Sequence, residues 1–316
     1  VQHHSKEHHV DLNTITAITP ARERSDLASV GGTVAPLAGG SWLFSERQDH
    51  LTALVDLMTL GWPSLTLTDE GLDVAATCTL AEIAELPDGG WAAHPLFFQC
   101  CTALLGSFKV WNMATVGGNI CASLPAGPMT SLFSSLDAEA LIWRADGSDE
   151  RMPVASFVTG NGTNALGDGD VLRSLIVPTS SLQARTAYRK IALSPIGRSG
   201  AVIVGRLDPD GSFVLTVSGA TVHPEQLRFD RLPEGGALAA AVDGIDTWFT
   251  DPHGAADWRR AVSALLAEEV RAELASPPGD AAPSDYVTTR PSSARFGAAP
   301  TGGHQGTASD STEGGL

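Results

Sequence analysis

Two short segments carry residue types suited to holding an anion: Leu37-Ala38-Gly39-Gly40-Ser41-Trp42-Leu43 and Ala114-Thr115-Val116-Gly117-Gly118-Asn119-Ile120. A glycine pair lets the backbone pass through positive φ and come close to a ligand's oxygen atoms. Successive N–H groups can then converge on an anion without any basic side chain. Ser41, Thr115 and Asn119 add hydroxyl and amide donors. Neither segment contains Lys or Arg, so the chemistry suggested is a diphosphate held by backbone amides. No GxGxxG follows a strand, and no GxxxxGKS or GxxxxGKT is present, which excludes the Rossmann and P-loop patterns. Alone, each segment reads more readily as a turn, as Gly31-Gly32, Gly89-Gly90 and Gly235-Gly236 do.

The other chemistry-bearing residues give weaker signals. Cys78, Cys100, Cys101 and Cys121 lack zinc or iron–sulfur spacing, and the adjacent pair reads as two reduced core thiols. His3, His4, His8 and His9 lie in a lead-in, residues 1–9, expected to be disordered and so unable to fix a metal geometry. Gly160-Asn161-Gly162 and Gly167-Asp168-Gly169-Asp170 lack calcium-loop spacing and read as turns. Trp42 reads equally as a ligand or partner contact and as a buried strand-end residue, and Asp137 reads as a structural turn acid. No residue is assigned as catalytic, and none as a metal ligand.

With 36 acidic against 20 basic residues the net charge is −16, which excludes the basic footprint of a nucleic-acid binder. No apolar run reaches the length of a membrane-spanning helix, and no signal-peptide pattern precedes the first element. The expectation is a cytoplasmic protein without membrane insertion.

The elements that must position the two segments follow from local patterns. Thr19, Pro20 and Glu23 predict the start of a helix ending at Gly31-Gly32. Val34–Ala38 and Leu51–Leu57 are strand-like, giving a small βαβ unit. A hairpin pairs 65–68 with 72–77 about a turn at 69–71. Thr79 and Glu82 form a capping box, and further helices are expected over 95–105 and 129–136. Strands flank Asp146-Gly147, and 171–177 closes the block. After a junction at 180–185, strands are expected at 186–193, 201–207 and 213–217. A helix over 255–274 presents Trp258, Val262, Leu265, Leu266 and Val270 on one face. Residues 277–316, rich in Pro, Gly, Ser, Ala and Thr, predict a disordered tail.

The two segments, in this order, resemble the FAD-binding loops of the flavoprotein subunits of molybdenum hydroxylases, the carbon monoxide and xanthine dehydrogenase family. Ala38-Gly39-Gly40-Ser41 resembles the first loop, and Thr115-Val116-Gly117-Gly118-Asn119 the second. Pro125, a following short helix and Leu136-Asp137-Ala138 keep the family order. Ala187-Tyr188-Arg189-Lys190-Ile191, Gly200-Ala201-Val202-Ile203-Val204 and Trp258-Arg259-Arg260 resemble parts of its C-terminal domain.

The resemblance implies an α+β fold. A two-lobed, vanillyl-alcohol-oxidase-type FAD-binding domain at 10–179 (lobes about 10–60 and 61–179) precedes a smaller α+β domain at 180–276. It implies FAD as cofactor and an oxidoreductase role as an electron-transfer subunit. Partners would be a molybdopterin-binding large subunit and a small subunit with iron–sulfur (2Fe-2S) clusters, with NAD, a quinone or another molecule as acceptor. Three positions bear on the flavin. Leu105 stands where animal-type relatives stack an aromatic ring, Arg198 falls near a basic position beside the flavin, and Pro128 replaces an Asp that bonds FAD in many relatives. The competing readings are a self-contained flavin oxidase or reductase, and a binding subunit of the same fold without FAD.

Overall fold

The computed structural model describes residues 13–104, 106–194 and 197–277. The expected lead-in, and all of the expected tail beyond 277, lie outside them.

The first sheet holds three short parallel strands, β1 (Ala17–Pro20), β2 (Val34–Leu37) and β3 (Ala53–Asp56), in the order β1-β3-β2. Thr19-Pro20 therefore ends a strand and does not start a helix. As an edge strand, β1 can end in a proline, because one of its sides needs no ladder N–H. Only a 3-10 turn, Arg24–Ser29, follows, started where the Asp26 carboxylate accepts from the Arg22 and Glu23 amides.

The central sheet runs β4-β5-β10-β6-β7, all antiparallel. Its first two strands are β4 (Leu65–Leu67) and β5 (Gly71–Ala75). Helices α1 (Leu80–Ala84), α2 (His94–Cys101), α3 (Phe108–Met113), α4 (Val116–Cys121) and α5 (Pro128–Ser135) come next. Then follow β6 (Glu139–Trp143), β7 (Asp149–Pro153), α6 (Val154–Phe157), the small pair β8 (Val158–Gly160) and β9 (Thr163–Asn164), and β10 (Val171–Pro178). The capping box forms as expected, with the Thr79 hydroxyl accepting from the Glu82 amide and the Glu82 carboxylate accepting from the Thr79 amide. The main core lies between this sheet and the helices and takes in Phe97, Cys100, Cys101, Ile120, Met129 and Phe133.

After α7 (Thr179–Leu182), a four-stranded antiparallel sheet runs in chain order: β11 (Arg185–Ile191), β12 (Ala201–Leu207), β13 (Phe213–Ser218) and β14 (Glu225–Phe229). Helices α8 (Gly235–Asp243) and α9 (Ala256–Ala275) cover one face. Tyr188, Val202 and Val204 turn the other way, into the main core beside α2 and α5. Burial on both faces is why β12 and β13 read as continuous apolar runs. Two expectations fail here. Gly235-Gly236 opens α8 instead of making a turn, and Leu265 is 61% exposed while Arg259, Ser263, Leu266, Val270 and Leu274 form the buried face of α9.

The first and central sheets are fastened side by side. Arg173 lies 4.3 Å from the Trp62 ring and 5.8 Å from Trp143, and Arg24 covers Trp143 at 4.8 Å. Trp62 and Trp143 meet edge to face at 5.4 Å. Cation–π contacts of this kind add about 0.5–2 kcal/mol each. The Asp168 carboxylate also accepts from the Gly32 amide at 2.8 Å, so the 167–170 turn is tied to the turn before β2.

Candidate functional site

The two glycine segments meet at one cavity of about 770 Å³. Leu37, Ala38, Gly39, Gly40, Ser41, Trp42 and Leu43 line it from the end of β2, and Thr115, Gly117, Gly118 and Asn119 line it from the start of α4. Arg198, before β12, lines it as well. Val116 does not; it is fully buried in the main core. Leu105 lies outside the described residues.

The two segments do different work. The second is the first turn of a helix, and its glycines are not at positive φ. Its amides are already engaged: Val116 donates to the Cys78 carbonyl at 2.7 Å, Gly117 to Ala76 at 2.8 Å, and Gly118 to the Thr115 hydroxyl at 3.1 Å. Asn119 accepts from the Met129 amide at 3.0 Å, which ties α4 to the start of α5 and leaves its amide nitrogen uncommitted. The first segment is the opposite case. Among the described residues, none of the Gly39, Gly40, Ser41, Trp42 or Leu43 amides has an intramolecular acceptor. A run of unpaired N–H groups in residues that line a cavity suits a diphosphate.

Glycine is required where each segment packs closely against its neighbour. A Cβ on Gly39 would fall 1.5 Å from the Met113 carbonyl oxygen, and one on Gly117 would fall 2.5 Å from the Ala76 Cβ. Gly118 differs, since it is exposed and its Cβ would meet only the Thr115 hydroxyl, at 2.9 Å. These contacts separate two variants. Gly118→Val is expected to fold with a circular dichroism spectrum near wild type and to lose ligand, because its branches extend into the cavity. Gly117→Val is expected to lose folded yield as well, because it strikes Ala76, the residue just after β5. Equal behaviour of the two in a thermal melt and a ligand titration would contradict this assignment.

Apart from Pro128, the far wall was not expected from the sequence. Leu124, Ala126, Pro128, Gly162, Leu166 and Leu172 complete the cavity, brought in by the α4–α5 connection, the β8–β9 turn and the central strand β10. Pro128 begins α5, where a missing N–H costs nothing, so it adds an apolar surface to the cavity where an Asp would add an acceptor. Pro128, expected near the flavin from the resemblance, and the glycine turn at 162 were the sequence signals of this wall.

The titratable residues of the lining are Cys121, Asp170 and Arg198. Burial pushes the Cys121 thiol up to about 12, so it is neutral at ordinary pH. Burial would also raise Asp170, but hydrogen bonds from Arg144 (2.5 Å) and from the Ala145 (2.9 Å) and Gly167 (2.7 Å) amides outweigh it and hold its pKa low. Its carboxylate is thus a committed structural anion. Arg198 forms no ion pair among the described residues and supplies a cation to the cavity.

Residues 5–180 match the family described as the FAD binding domain in molybdopterin dehydrogenase. The chain belongs to this family. FAD is therefore its cofactor, and the walls fit that group: free amides for a diphosphate, apolar surfaces for rings and an unpaired cation. Among curated proteins, the nicotinate dehydrogenase FAD-subunit of Eubacterium barkeri is 25% identical over 183 residues, 54% of this chain and 61% of that protein. Xanthine dehydrogenase 1 of Arabidopsis thaliana is 25% identical over 123 residues, 36% of this chain and 9% of that protein. The chain thus spans less than two thirds of the length of these relatives. Among solved structures, the Cu,Mo-CO dehydrogenase in its cyanide-inactivated form superposes with a TM-score of 0.70 at 18% identity, covering 82% of this chain and 99% of that one. Quinoline 2-oxidoreductase from Pseudomonas putida 86 gives 0.68 at 17% identity, covering 81% and 95%. At these identities the likeness establishes the fold, which is the α+β arrangement expected. Among the described residues, no helix is long and apolar enough to cross a membrane.

Proposed function

We propose that the chain is the FAD-carrying electron-transfer subunit of a molybdopterin-dependent hydroxylase or dehydrogenase. In this reading residues 10–179 hold the cofactor and 180–276 form a supporting domain. Electrons arrive from 2Fe-2S clusters of one partner, fed by a molybdopterin-binding partner, and leave to NAD, a quinone or another acceptor. The observation that carries it is a single cavity walled by both glycine segments and Arg198.

When bound, FAD would supply the redox chemistry, and the protein's part is to bind, orient and tune it. The Gly39–Leu43 amides hold the diphosphate. The Thr115 cap starts α4 and the Asn119 bond ties it to α5, so the opposite wall keeps its shape. No group in the described lining is poised to move a proton near neutral pH, because the Cys121 thiol is pushed up and Asp170 is committed. That favours a carrier of electrons over a self-contained enzyme acting on its own substrate.

The purified chain is expected to show flavin absorbance and to release the flavin on acid precipitation. Yellow colour kept in the pellet would refute a non-covalent cofactor, and a protein that takes up no FAD would refute the reading. Expressed with its partners, the chain should co-purify with one iron–sulfur and one molybdopterin subunit. Full substrate oxidation by the chain alone would favour the self-contained enzyme.

A further inference from the structure

Helix α2 ends in a way that its own segment cannot complete. The carbonyls of Thr102 and Ala103 follow its last turn, and among the described residues no backbone N–H reaches either. Carbonyls at a helix C-terminus carry partial negative charge and need donors from elsewhere. Both donors come from the C-terminal sheet. Lys190 on β11 donates from Nζ to the Thr102 carbonyl, and Ser199, just before β12, donates from Oγ to the Ala103 carbonyl at 3.3 Å. Ala103 and Leu104 then form part of the cavity wall, as does Arg198, the residue beside Ser199.

Lys190 is half-buried, and burial lowers its pKa with no carboxylate raising it back. An ammonium partly withdrawn from water without a counter-charge disfavours folding relative to an apolar side chain of similar size. A cation at this place is explained by what it holds. Lys190 meets the negative end of an eight-residue helix whose next residues face the cavity.

We propose that Lys190 and Ser199 are positioning residues for the cofactor cavity. They fix the end of α2, so that Ala103 and Leu104 stand in register with Arg198 across the wall. The proposal rests on the reading that FAD occupies this cavity. Apart from Arg198, the C-terminal sheet contributes nothing to the described lining. These two donors are therefore one route by which that sheet governs how the cofactor fits, on the α2 side of the cavity. Neither residue touches the cavity, so their influence passes through the α2 carbonyls.

The test uses the full chain as wild type, Lys190→Met, Lys190→Arg and Ser199→Ala, each freed of flavin and titrated with FAD. Lys190→Met is expected to raise the Kd for FAD roughly tenfold, equivalent to about 1.4 kcal/mol. The visible circular dichroism of the bound flavin should change with it. Ser199→Ala should act in the same direction to a smaller extent, and Lys190→Arg should restore most of the wild-type affinity. Melting of the flavin-free Lys190→Met protein should stay near wild type, since methionine fills the space without the charge. FAD affinity within twofold of wild type and an unchanged visible spectrum in Lys190→Met would overturn the proposal. If that variant does not fold, the same unchanged result in Ser199→Ala overturns it. A wild-type protein without affinity for FAD would overturn the cavity assignment itself, which is a separate outcome.

Discussion

A Gly39→Ala variant is expected to lose at least about a hundredfold in FAD affinity, equivalent to about 2.8 kcal/mol. The added methyl would stand 1.5 Å from the Met113 carbonyl oxygen, and that atom is backbone, so no side-chain rotation relieves the clash. The segment from Leu37 to Leu43 must then move away from the junction of α3 and α4. Its unpaired amides move with it, and they are the donors that the second segment cannot replace, since the Val116 and Gly117 amides are spent on Cys78 and Ala76. The rest of the fold should tolerate the change, because Gly39 is only half-buried and belongs to none of the three hydrophobic clusters. Gly236→Ala is the matched control: a Cβ there meets nothing within 4 Å and its φ is ordinary, so stability should hold or rise by roughly 0.4–1 kcal/mol. Titration of both flavin-free proteins with FAD decides the matter, and equal affinities would show that the first segment does not hold the cofactor.

Much of this architecture could be read from local chemistry. The Thr79 and Glu82 pair predicts its helix correctly because a capping box involves only neighbouring groups. The 65–77 hairpin and the three strands after 185 follow from alternation or from apolar runs bounded by turns. What local reading missed was decided at a distance. Thr19-Pro20 resembles a helix start, but pairing with β3 makes it a strand end. Gly117-Gly118 is a poor helix sequence, yet the Thr115 cap and the carbonyls of Ala76 and Cys78 hold it as one. Gly235-Gly236 reads as a turn until Leu238 and Val242 after it are packed into the core shared with α9. Periodicity found α9 but put its buried face through Leu265. Arg259 belongs there instead, because the Gly219 and Gly254 carbonyls and the Asp251 carboxylate satisfy its guanidinium.

The site shows the same division. Its first wall was visible as two glycine pairs in family order, since close backbone approach demands a residue type that can be seen in sequence. Its far wall was not, because Leu166 and Leu172 are ordinary core residues until β10 takes the centre of the sheet. Asp137 was read as a structural acid, and its surroundings bear that out.

Replacing Asp137 by Asn is expected to destabilise the protein by about 2–3 kcal/mol, somewhat below the 3–5 kcal/mol typical of breaking a fully buried pair. Asp137 follows α5 at φ 51 and accepts from Arg206 at 2.5 Å, from Arg228 at 2.5 and 3.0 Å, and from Gln226 at 2.9 Å. These partners lie on β12 and β14, so one carboxylate joins α5 to the C-terminal sheet. The Arg206 side chain is 4% exposed, and Asp208 and the Ser135 carbonyl would be left as its acceptors. Burial alone would raise the Asp137 pKa, but the hydrogen bonds from Arg228 and Arg206 outweigh it and bring it down to about 2. An unfolded Asp titrates near 3.9, so the folded state favours the ionised form. The stabilisation is complete above about pH 4 and disappears as the pH falls through about 2, because there the folded carboxylate takes up its proton. Urea unfolding at pH 7 should therefore separate Asp137→Asn from wild type, and the gap should narrow as the pH is lowered from 4 towards 2. A gap that persists unchanged at the lowest pH at which both proteins fold would show that the variant acts through packing and not through the charge.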